Sequence, residues 1–138
     1  MPNILNVAIV GCGIGTSHAV AYRNLPDHYR IAAICDIDTA KARAFAETHE
    51  IPRVIGNLDE LCAIEDIDII DICTPPHLHL PQALQVLAAG KHAVVEKPLA
   101  GSIRDADELI AAEAASGKRL MPIFQYRWGH GLQKLKHL

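Results

Sequence analysis

The chain has 138 residues, a formal net charge of −3 at pH 7, and 50% hydrophobic, 21% charged and 4% aromatic residues. This balance is typical of a single globular domain with a proper core. Because the sequence has no basic stripe, we expect neither a nucleic acid nor an anionic membrane as a partner. The N-terminal sequence predicts a strand and not a signal peptide, and no run reaches the ~18 apolar residues of a membrane span.

The short apolar runs along the chain predict six strands, over residues 4–10, 29–35, 53–55, 67–73, 92–95 and 120–125. Amphipathic patterns between them predict helices over residues 16–25, 39–49, 57–64, 78–89, 102–116 and 131–138. Strands that alternate with helices over short connections predict an α/β fold with a mostly parallel sheet and helices on both faces. Right-handed crossovers favour the doubly wound strand order 3-2-1-4-5-6.

The last predicted helix has an apolar stripe formed by Leu132, Leu135 and Leu138, with no later element to pack against it. We therefore interpret residues 1–125 as one domain and residues 126–138 as the start of a connection to a further domain.

A glycine turn, Gly11-Cys12-Gly13-Ile14-Gly15, follows the first predicted strand and precedes a helix. Glycines allow close approach to backbone N–H groups at a helix N-terminus, which is where phosphates bind. The third glycine of the usual G-x-G-x-x-G pattern would fall on Thr16, whereas Gly15 comes one place earlier. We predict a loop one residue shorter than usual, with Gly15 opening the helix of a Rossmann-type dinucleotide site.

Asp36 ends the second predicted strand, 25 residues after Gly11, and Ile37 follows it. An acid at this point accepts hydrogen bonds from both ribose hydroxyls and repels a 2′-phosphate, which favours NAD over NADP. Asp38 is interpreted as a helix cap.

Two further clusters follow strands at the same edge of the predicted sheet. The first contains Thr74, Pro75 and His79, and we interpret His79 as a helix-start or pocket-lining residue. We expect no metal site, because His77 and His79 lack a nearby Cys, Asp or Glu ligand. The second is Glu96-Lys97-Pro98, in which Lys97 can orient a substrate hydroxyl or carbonyl, or act as a base.

The four cysteines form no CxxC pair, and three of them end apolar runs. We interpret them as small buried thiols and expect a cytoplasmic protein. They are Cys12, Cys35, Cys62 and Cys73.

Essentially the whole chain resembles the Gfo/Idh/MocA family, the glucose-fructose oxidoreductase and inositol dehydrogenase group. The resemblance rests on the stretches VGCGIGTSHAVAY, ICDID, DICTPPHLHLPQAL and above all AAGKHAVVEKPLA. It implies an NAD(P)-dependent oxidoreductase that acts on sugars, polyols or their derivatives by hydride transfer. It also implies a C-terminal substrate domain beyond this chain, a homo-oligomer as the full-length protein, and little activity for this part alone.

The resemblance assigns Lys97 as the catalytic residue that contacts the substrate near the nicotinamide. Together with the glycine turn and Asp36, it gives a predicted set of cofactor-binding residues: Gly11, Gly13, Ile14, Gly15, Asp36, Ile37, Thr74, Pro75, His79, Glu96, Lys97 and Arg127.

Two other interpretations fit parts of the pattern. A catalytically inactive NAD(P)-binding or sensing module would keep the same fold. A methyltransferase would also use a G-x-G-x-G turn, but such enzymes usually carry an acid two residues before the first glycine, where this chain has Ile9, and they lack Glu-Lys-Pro.

Overall fold

The computed structural model describes residues 4–136. Its strands are β1 (Leu5–Val10), β2 (Tyr29–Cys35), β3 (Val54–Ile55), β4 (Ile69–Ile72), β5 (His92–Val95) and β6 (Leu120–Pro122). Its α-helices are α1 (Gly15–Arg23), α2 (Thr39–His49), α3 (Leu58–Cys62), α4 (His79–Ala88), α5 (Ile103–Ser116) and α6 (His130–Leu135). Two short 3₁₀ helices, Pro76–Leu78 and Gln125–Trp128, precede α4 and α6.

The strands form one sheet in the order β3-β2-β1-β4-β5-β6, and every neighbouring pair is parallel. This confirms the predicted doubly wound α/β fold and its strand order. In such sheets the ligand crevice lies outside the carboxyl ends of the strands, where the chain connections change face. Here that point falls between β1 and β4.

The two faces of the sheet carry separate parts of the core. Ala8 and Val10 of β1 pack with residues of α3, α4 and α5, whereas Ile9 packs with residues of α1 and α2. Alternate side chains of a strand point to opposite faces, so β1 is covered by helices on both sides. Since α1 and α2 lie on one face and α3, α4 and α5 on the other, the helices that follow the neighbouring strands β1 and β4 lie on opposite faces, beside the crevice.

Helix caps explain several boundaries that the sequence predicted. The side chains of Asp38, Asn57 and Ser102 accept hydrogen bonds from the first turns of α2, α3 and α5. Gly117 ends α5 in the left-handed conformation, with φ of 65°. Such caps satisfy N–H and C=O groups that have no partner inside the helix.

Several predicted elements were too long at their carboxyl ends. The predicted strand over residues 120–125 ends at Pro122, because β5 itself ends at Val95 and its carbonyl accepts the last bond, from Ile123 N–H at 2.8 Å. The predicted helix over residues 16–25 ends at Arg23, and Pro26 disfavours the helical conformation at the residue before it.

The remaining differences are of one to three residues. The strands predicted to begin at residues 4, 53 and 67 begin one or two residues later, and α3 ends at Cys62. The last helix ends at Leu135, and the predicted apolar position Leu138 lies outside the described residues. Across residues 4–136, no helix has the length and apolar character needed to cross a membrane.

Candidate functional site

The glycine turn after β1 is shaped by close backbone contacts. Gly11 has φ of +99°, and a Cβ added to it would lie 2.7 Å from the backbone oxygen of Cys73. Its own N–H donates to the carbonyl of Cys35 at 2.8 Å. A Cβ at Gly13 would meet nothing within 4 Å. The turn therefore holds Gly11 inside the fold and leaves open space beside Gly13, as a phosphate cradle requires.

Gly15 is the residue that packs α1 against the sheet. It is buried at the first position of α1, and a Cβ there would lie 2.9 Å from Ile9 Cγ2. Thr16, by contrast, is exposed. The predicted shorter loop is confirmed: Gly15 opens the helix and occupies the close-packing position one residue early.

Asp36 is fixed to the glycine turn by its carboxylate. Oδ2 accepts from Cys12 N–H at 2.9 Å and Oδ1 accepts from Asp38 N–H at 3.0 Å. Burial raises the pKa of Asp36, but these hydrogen bonds together outweigh it, and the pKa lies below its ordinary value of 3.8. Each oxygen of an ionised carboxylate offers about two lone pairs, so an acceptor site is left on each for ribose hydroxyls.

A cavity of about 580 Å³ joins the turn to the ends of β2 and β4. Its lining includes these predicted cofactor-binding residues: Gly11, Gly13, Asp36, Ile37, Thr74 and Pro75. These other predicted residues are outside its lining: Ile14, Gly15, His79, Glu96, Lys97 and Arg127. The size and the lining suit the phosphate and ribose part of a dinucleotide, with the backbone of the glycine turn and the Asp36 carboxylate lining the same cavity.

Three polar residues of the cavity lining were missed by sequence reasoning: Lys41, Asn57 and Gln82. Lys41 lies in the first turn of α2, where its cationic charge helps to lower the pKa of Asp36. Gln82 Oε1 accepts from the hydroxyl of Thr74 at 2.6 Å. Only the position of Lys41, five residues after Asp36, gave a usable signal, since the others depend on how α3 and α4 are placed.

His79 joins two loops from inside the protein. It is 1% exposed at the start of α4, with Nδ1 2.7 Å from the carbonyl oxygen of Pro98 and Nε2 2.8 Å from that of Thr74. The predicted helix-start position is confirmed. His79 holds together the backbones of the loops after β4 and β5, and its contact with the cofactor stays a prediction.

We predict that His79→Ala lowers the free energy of unfolding by about 2–4 kcal/mol, because a buried side chain and its contacts with two carbonyls are lost. Urea denaturation at pH 7 measures the change. The matched control is His77→Ala, since His77 is exposed two residues earlier and its change stays within about 0.5 kcal/mol. Equal effects of the two substitutions would contradict the role given to His79.

The Glu96-Lys97-Pro98 segment follows β5 with Glu96 buried and Lys97 exposed. Glu96 Oε2 accepts from the Lys97 N–H at 2.8 Å, and the Lys97–Pro98 peptide bond is cis. Glu96 Oε1 lies 3.1 Å from Nε2 of His18, whose Nδ1 lies 2.7 Å from Asp71 Oδ2. Sequence reasoning named neither His18 nor Asp71.

His18, Asp71 and Glu96 form a cluster of titratable side chains that shift the pKa values of their neighbours. The hydrogen bond to Asp71 raises the pKa of His18 above 6.5, against burial, which lowers it, and Glu96 adds to the rise. Burial first, and then the charge of Asp71, raises the pKa values of Tyr22 and of the Cys73 thiol, so both stay neutral at pH 7. Burial also raises the pKa of Cys12 to about 12, with a contribution from Asp36.

The thiols are free, and Cys12, Cys35 and Cys73 are buried as predicted, while Cys62 is partly exposed.

One group among residues 4–136 has the composition of a metal site: His18, Asp71 and Cys73. Ligands of one tetrahedral zinc ion at ~2.0–2.1 Å lie about 3.3 Å apart. His18 Nδ1 and Asp71 Oδ2 are 2.7 Å apart, which is shorter than this ligand separation and is a hydrogen-bond distance. The arrangement of these two side chains is therefore that of a hydrogen-bonded pair.

Arg127 lies in the 3₁₀ helix after β6, away from the cavity lining. It is exposed, and its guanidinium carbon lies 5.7 Å from the centre of the Trp128 ring. The described contacts of Arg127 therefore join it to its own segment, and its cofactor contact stays a prediction.

A glycine turn after β1, an acid after β2 and the crevice between them define a dinucleotide-binding domain. A family model described as an oxidoreductase family with an NAD-binding Rossmann fold matches residues 5–124. The chain belongs to this family, Gfo/Idh/MocA. The predicted family and fold are confirmed, and so is NAD as the cofactor of the family.

Curated relatives with specific names include an inositol 2-dehydrogenase and a D-apiose dehydrogenase. The chain is 33% identical over 136 residues to inositol 2-dehydrogenase of Rhodococcus erythropolis, which covers 97% of this chain and 39% of that protein. It is 31% identical over 127 residues to D-apiose dehydrogenase of Paraburkholderia graminis, which covers 91% of this chain and 34% of that protein.

A solved structure with a similar fold is the WlbA dehydrogenase of Chromobacterium violaceum in complex with NADH and UDP-GlcNAcA. It has a TM-score of 0.92 and 32% identity, over 99% of this chain and 41% of that chain. This chain thus spans between 34% and 41% of the length of the three proteins.

Proposed function

We propose that this chain is the cofactor domain of an NAD-dependent dehydrogenase that acts on a sugar, a polyol or a derivative. The reaction is hydride transfer between a substrate carbinol or carbonyl and the nicotinamide. The domain binds the cofactor, and residues beyond position 125 lead to a domain that completes the substrate site. The names of the two curated relatives, inositol 2-dehydrogenase and D-apiose dehydrogenase, support this substrate class.

One observation supports the proposal most directly. Gly13, with open space beside it, and Asp36 line one cavity, and Cys12 N–H ties the Asp36 carboxylate to the glycine turn by its bond to Oδ2. Backbone N–H groups at the start of α1 suit the pyrophosphate, and the acid suits the adenosine ribose. The bound cofactor supplies the hydride acceptor or donor.

Lys97 is the residue proposed to contact the substrate. Its side chain is exposed at the carboxyl end of β5, two strands from β1, and its backbone is held by Glu96. An ammonium group donates hydrogen bonds to a substrate hydroxyl or carbonyl oxygen and stabilises negative charge that develops on that oxygen.

Titration of the chain with NADH, followed by nicotinamide fluorescence, tests cofactor binding. We expect saturable binding at or below millimolar cofactor and almost no turnover of polyols, because this chain spans 34–41% of the matched dehydrogenases and the proposed second domain supplies part of the substrate site. The control is NADPH, which the Asp36 carboxylate repels and which binds more weakly. A folded chain that shows no binding at millimolar NADH overturns the proposal.

The alternative function is that of an NAD(P)-binding or sensing module without catalysis. A longer polypeptide that includes the substrate domain separates the two, in assays with NAD and a panel of polyols and aldoses. Under the enzyme proposal, Lys97→Ala abolishes turnover, whereas Lys134→Ala, an exposed lysine of α6, leaves it unchanged. Turnover that survives Lys97→Ala would remove Lys97 from the reaction, and absent turnover of the whole panel would favour the sensing module.

A further inference from the structure

Two buried carboxylates lie on either side of one imidazole in the core beside the Glu96-Lys97-Pro98 segment. Asp71 is 0% exposed on β4 and Glu96 is 7% exposed after β5. His18, on α1, places Nδ1 2.7 Å from Asp71 and Nε2 3.1 Å from Glu96. Each contact needs one proton between nitrogen and oxygen, so the two contacts together hold two protons.

The imidazole ring is the more basic partner in both contacts, since the reference pKa values are about 6.5 for His and about 4 for the carboxyls. Both protons therefore belong on the ring, which makes His18 an imidazolium between two carboxylates. Cys73, directly after β4, has its sulfur 3.4 Å from His18 Nδ1, and Tyr22 of α1 faces Asp71; both are neutral at pH 7. The ring thus supplies the positive charge that two buried carboxylates need.

Glu96 connects this cluster to the exposed lysine. Oε1 of Glu96 faces His18, and Oε2 accepts from the backbone N–H of Lys97 at 2.8 Å. Both oxygens of the carboxylate are therefore fixed. A continuous series of hydrogen bonds runs from Asp71 through His18 and Glu96 to the backbone that carries the Lys97 side chain.

We propose that His18 is a positioning residue: as an imidazolium held by Asp71, it fixes the Glu96 carboxylate and thereby the backbone of Lys97. The importance of this for catalysis rests on the proposed function, in which Lys97 contacts the substrate. The hydrogen-bond series itself is a property of the domain and is measurable without substrate or cofactor.

The protonation of His18 is measured first, by ¹⁵N NMR of the histidine rings in the whole chain. We expect both ring nitrogens of His18 to carry protons at pH 7.5, because each faces a carboxylate oxygen. A His18 ring with only one protonated nitrogen at that pH overturns the proposal, and this measurement uses the wild-type chain alone.

Amide hydrogen exchange at Lys97 measures the positioning itself. In His18→Gln we expect the Lys97 amide to exchange about ten- to a hundredfold faster, the loss expected when a hydrogen bond to a charged group is weakened. The amide of Ile34 in the core of β2 reports that the fold is intact. His28→Gln is the matched control and changes neither amide. Should His18→Gln fail to fold, Asp71→Asn is the second variant, because asparagine has nearly the shape of aspartate but lacks the charge that holds the His18 ring. It should also speed exchange of the Lys97 amide.

The pH dependence separates positioning from simple packing. Because the pKa of His18 is raised in the folded protein, its contribution is fully present below pH 6.5 and is lost as pH rises through the raised value. The protection factor of the Lys97 amide, corrected for intrinsic exchange, should fall in that range for the wild-type chain and stay flat in folded His18→Gln. Equal profiles for the two proteins overturn the proposal.

The two proposals fail in different ways. A wild-type chain that does not bind NADH removes the proposed function but leaves the His18 protonation and the Lys97 exchange as measured. A chain that binds NADH normally, with a Lys97 amide indifferent to His18→Gln, removes the positioning role alone.

Discussion

Gly11→Ala is expected to lower the free energy of unfolding by about 3–5 kcal/mol, among the larger effects of a single substitution. The residue has φ of +99°, a conformation that L side chains rarely adopt. Its new methyl group would also lie 2.7 Å from the backbone oxygen of Cys73, which has no flexible end that could move away. The strands β1 and β4 would have to separate at the crevice, and urea denaturation at pH 7 measures the cost.

Gly13→Ala is the matched control, because it adds the same methyl group two residues away. A Cβ at Gly13 meets nothing within 4 Å, so stability should change by no more than about 0.5 kcal/mol. The methyl group would stand in the open space proposed for the pyrophosphate, so NADH should bind about tenfold more weakly or worse. Equal unfolding midpoints for the two variants would contradict the account of Gly11, and unchanged NADH affinity for Gly13→Ala would place the pyrophosphate elsewhere.

The fold was largely predictable because local signals agreed with the overall topology. The limits of β2 and β5 and those of α2 were predicted correctly, since apolar continuity, the Asp38 cap and short connections all point to the same boundaries. The end of β6 was not predictable from local pattern. Ile123 and Phe124 continue the apolar run past Pro122, whereas the strand ends where its partner β5 ends, which is a property of the pairing.

The candidate site was predictable where the end of a strand determines the position of a residue. The glycine turn directly follows β1 and Asp36 directly follows β2, so the sequence pattern alone located both. His18 and Asp71 were missed, although Asp71 gave a signal: it interrupts the apolar run of residues 69–73, and a buried acid requires a partner. The sequence alone did not identify that partner, because the contact joins α1 to β4 over 53 residues of chain.

Asp36→Asn should weaken NADH binding by about ten- to a hundredfold, equivalent to about 1.5–3 kcal/mol for hydrogen bonds to a charged group. The Asp36 carboxylate already accepts from Cys12 N–H and Asp38 N–H, one on each oxygen. An asparagine has only one acceptor oxygen, so one of these N–H groups loses its partner and the ribose hydroxyls lose a charged acceptor. The affinity for NADPH should fall less, because the substitution removes the repulsion between the carboxylate and the 2′-phosphate. The ratio of NADH affinity to NADPH affinity should therefore decrease.

Asp38→Asn is the control, since it makes the same chemical change two residues later. Asp38 caps α2 by accepting from Lys41 N–H at 3.0 Å, and asparagine caps a helix equally well, so NADH affinity and stability should be unchanged. The affinities come from fluorescence titrations with NADH and NADPH.

The effect of Asp36→Asn on stability should itself depend on pH. The pKa of Asp36 is lowered in the folded protein, so its contribution is present above pH 3.8 and is lost as pH falls through the lowered value. The stability difference between wild-type chain and Asp36→Asn, from urea denaturation, should therefore shrink on acidification. If Asp36→Asn and Asp38→Asn bind NADH equally well while both stay folded, the ribose does not lie against Asp36, and the end of β2 is only a structural anchor for the glycine turn.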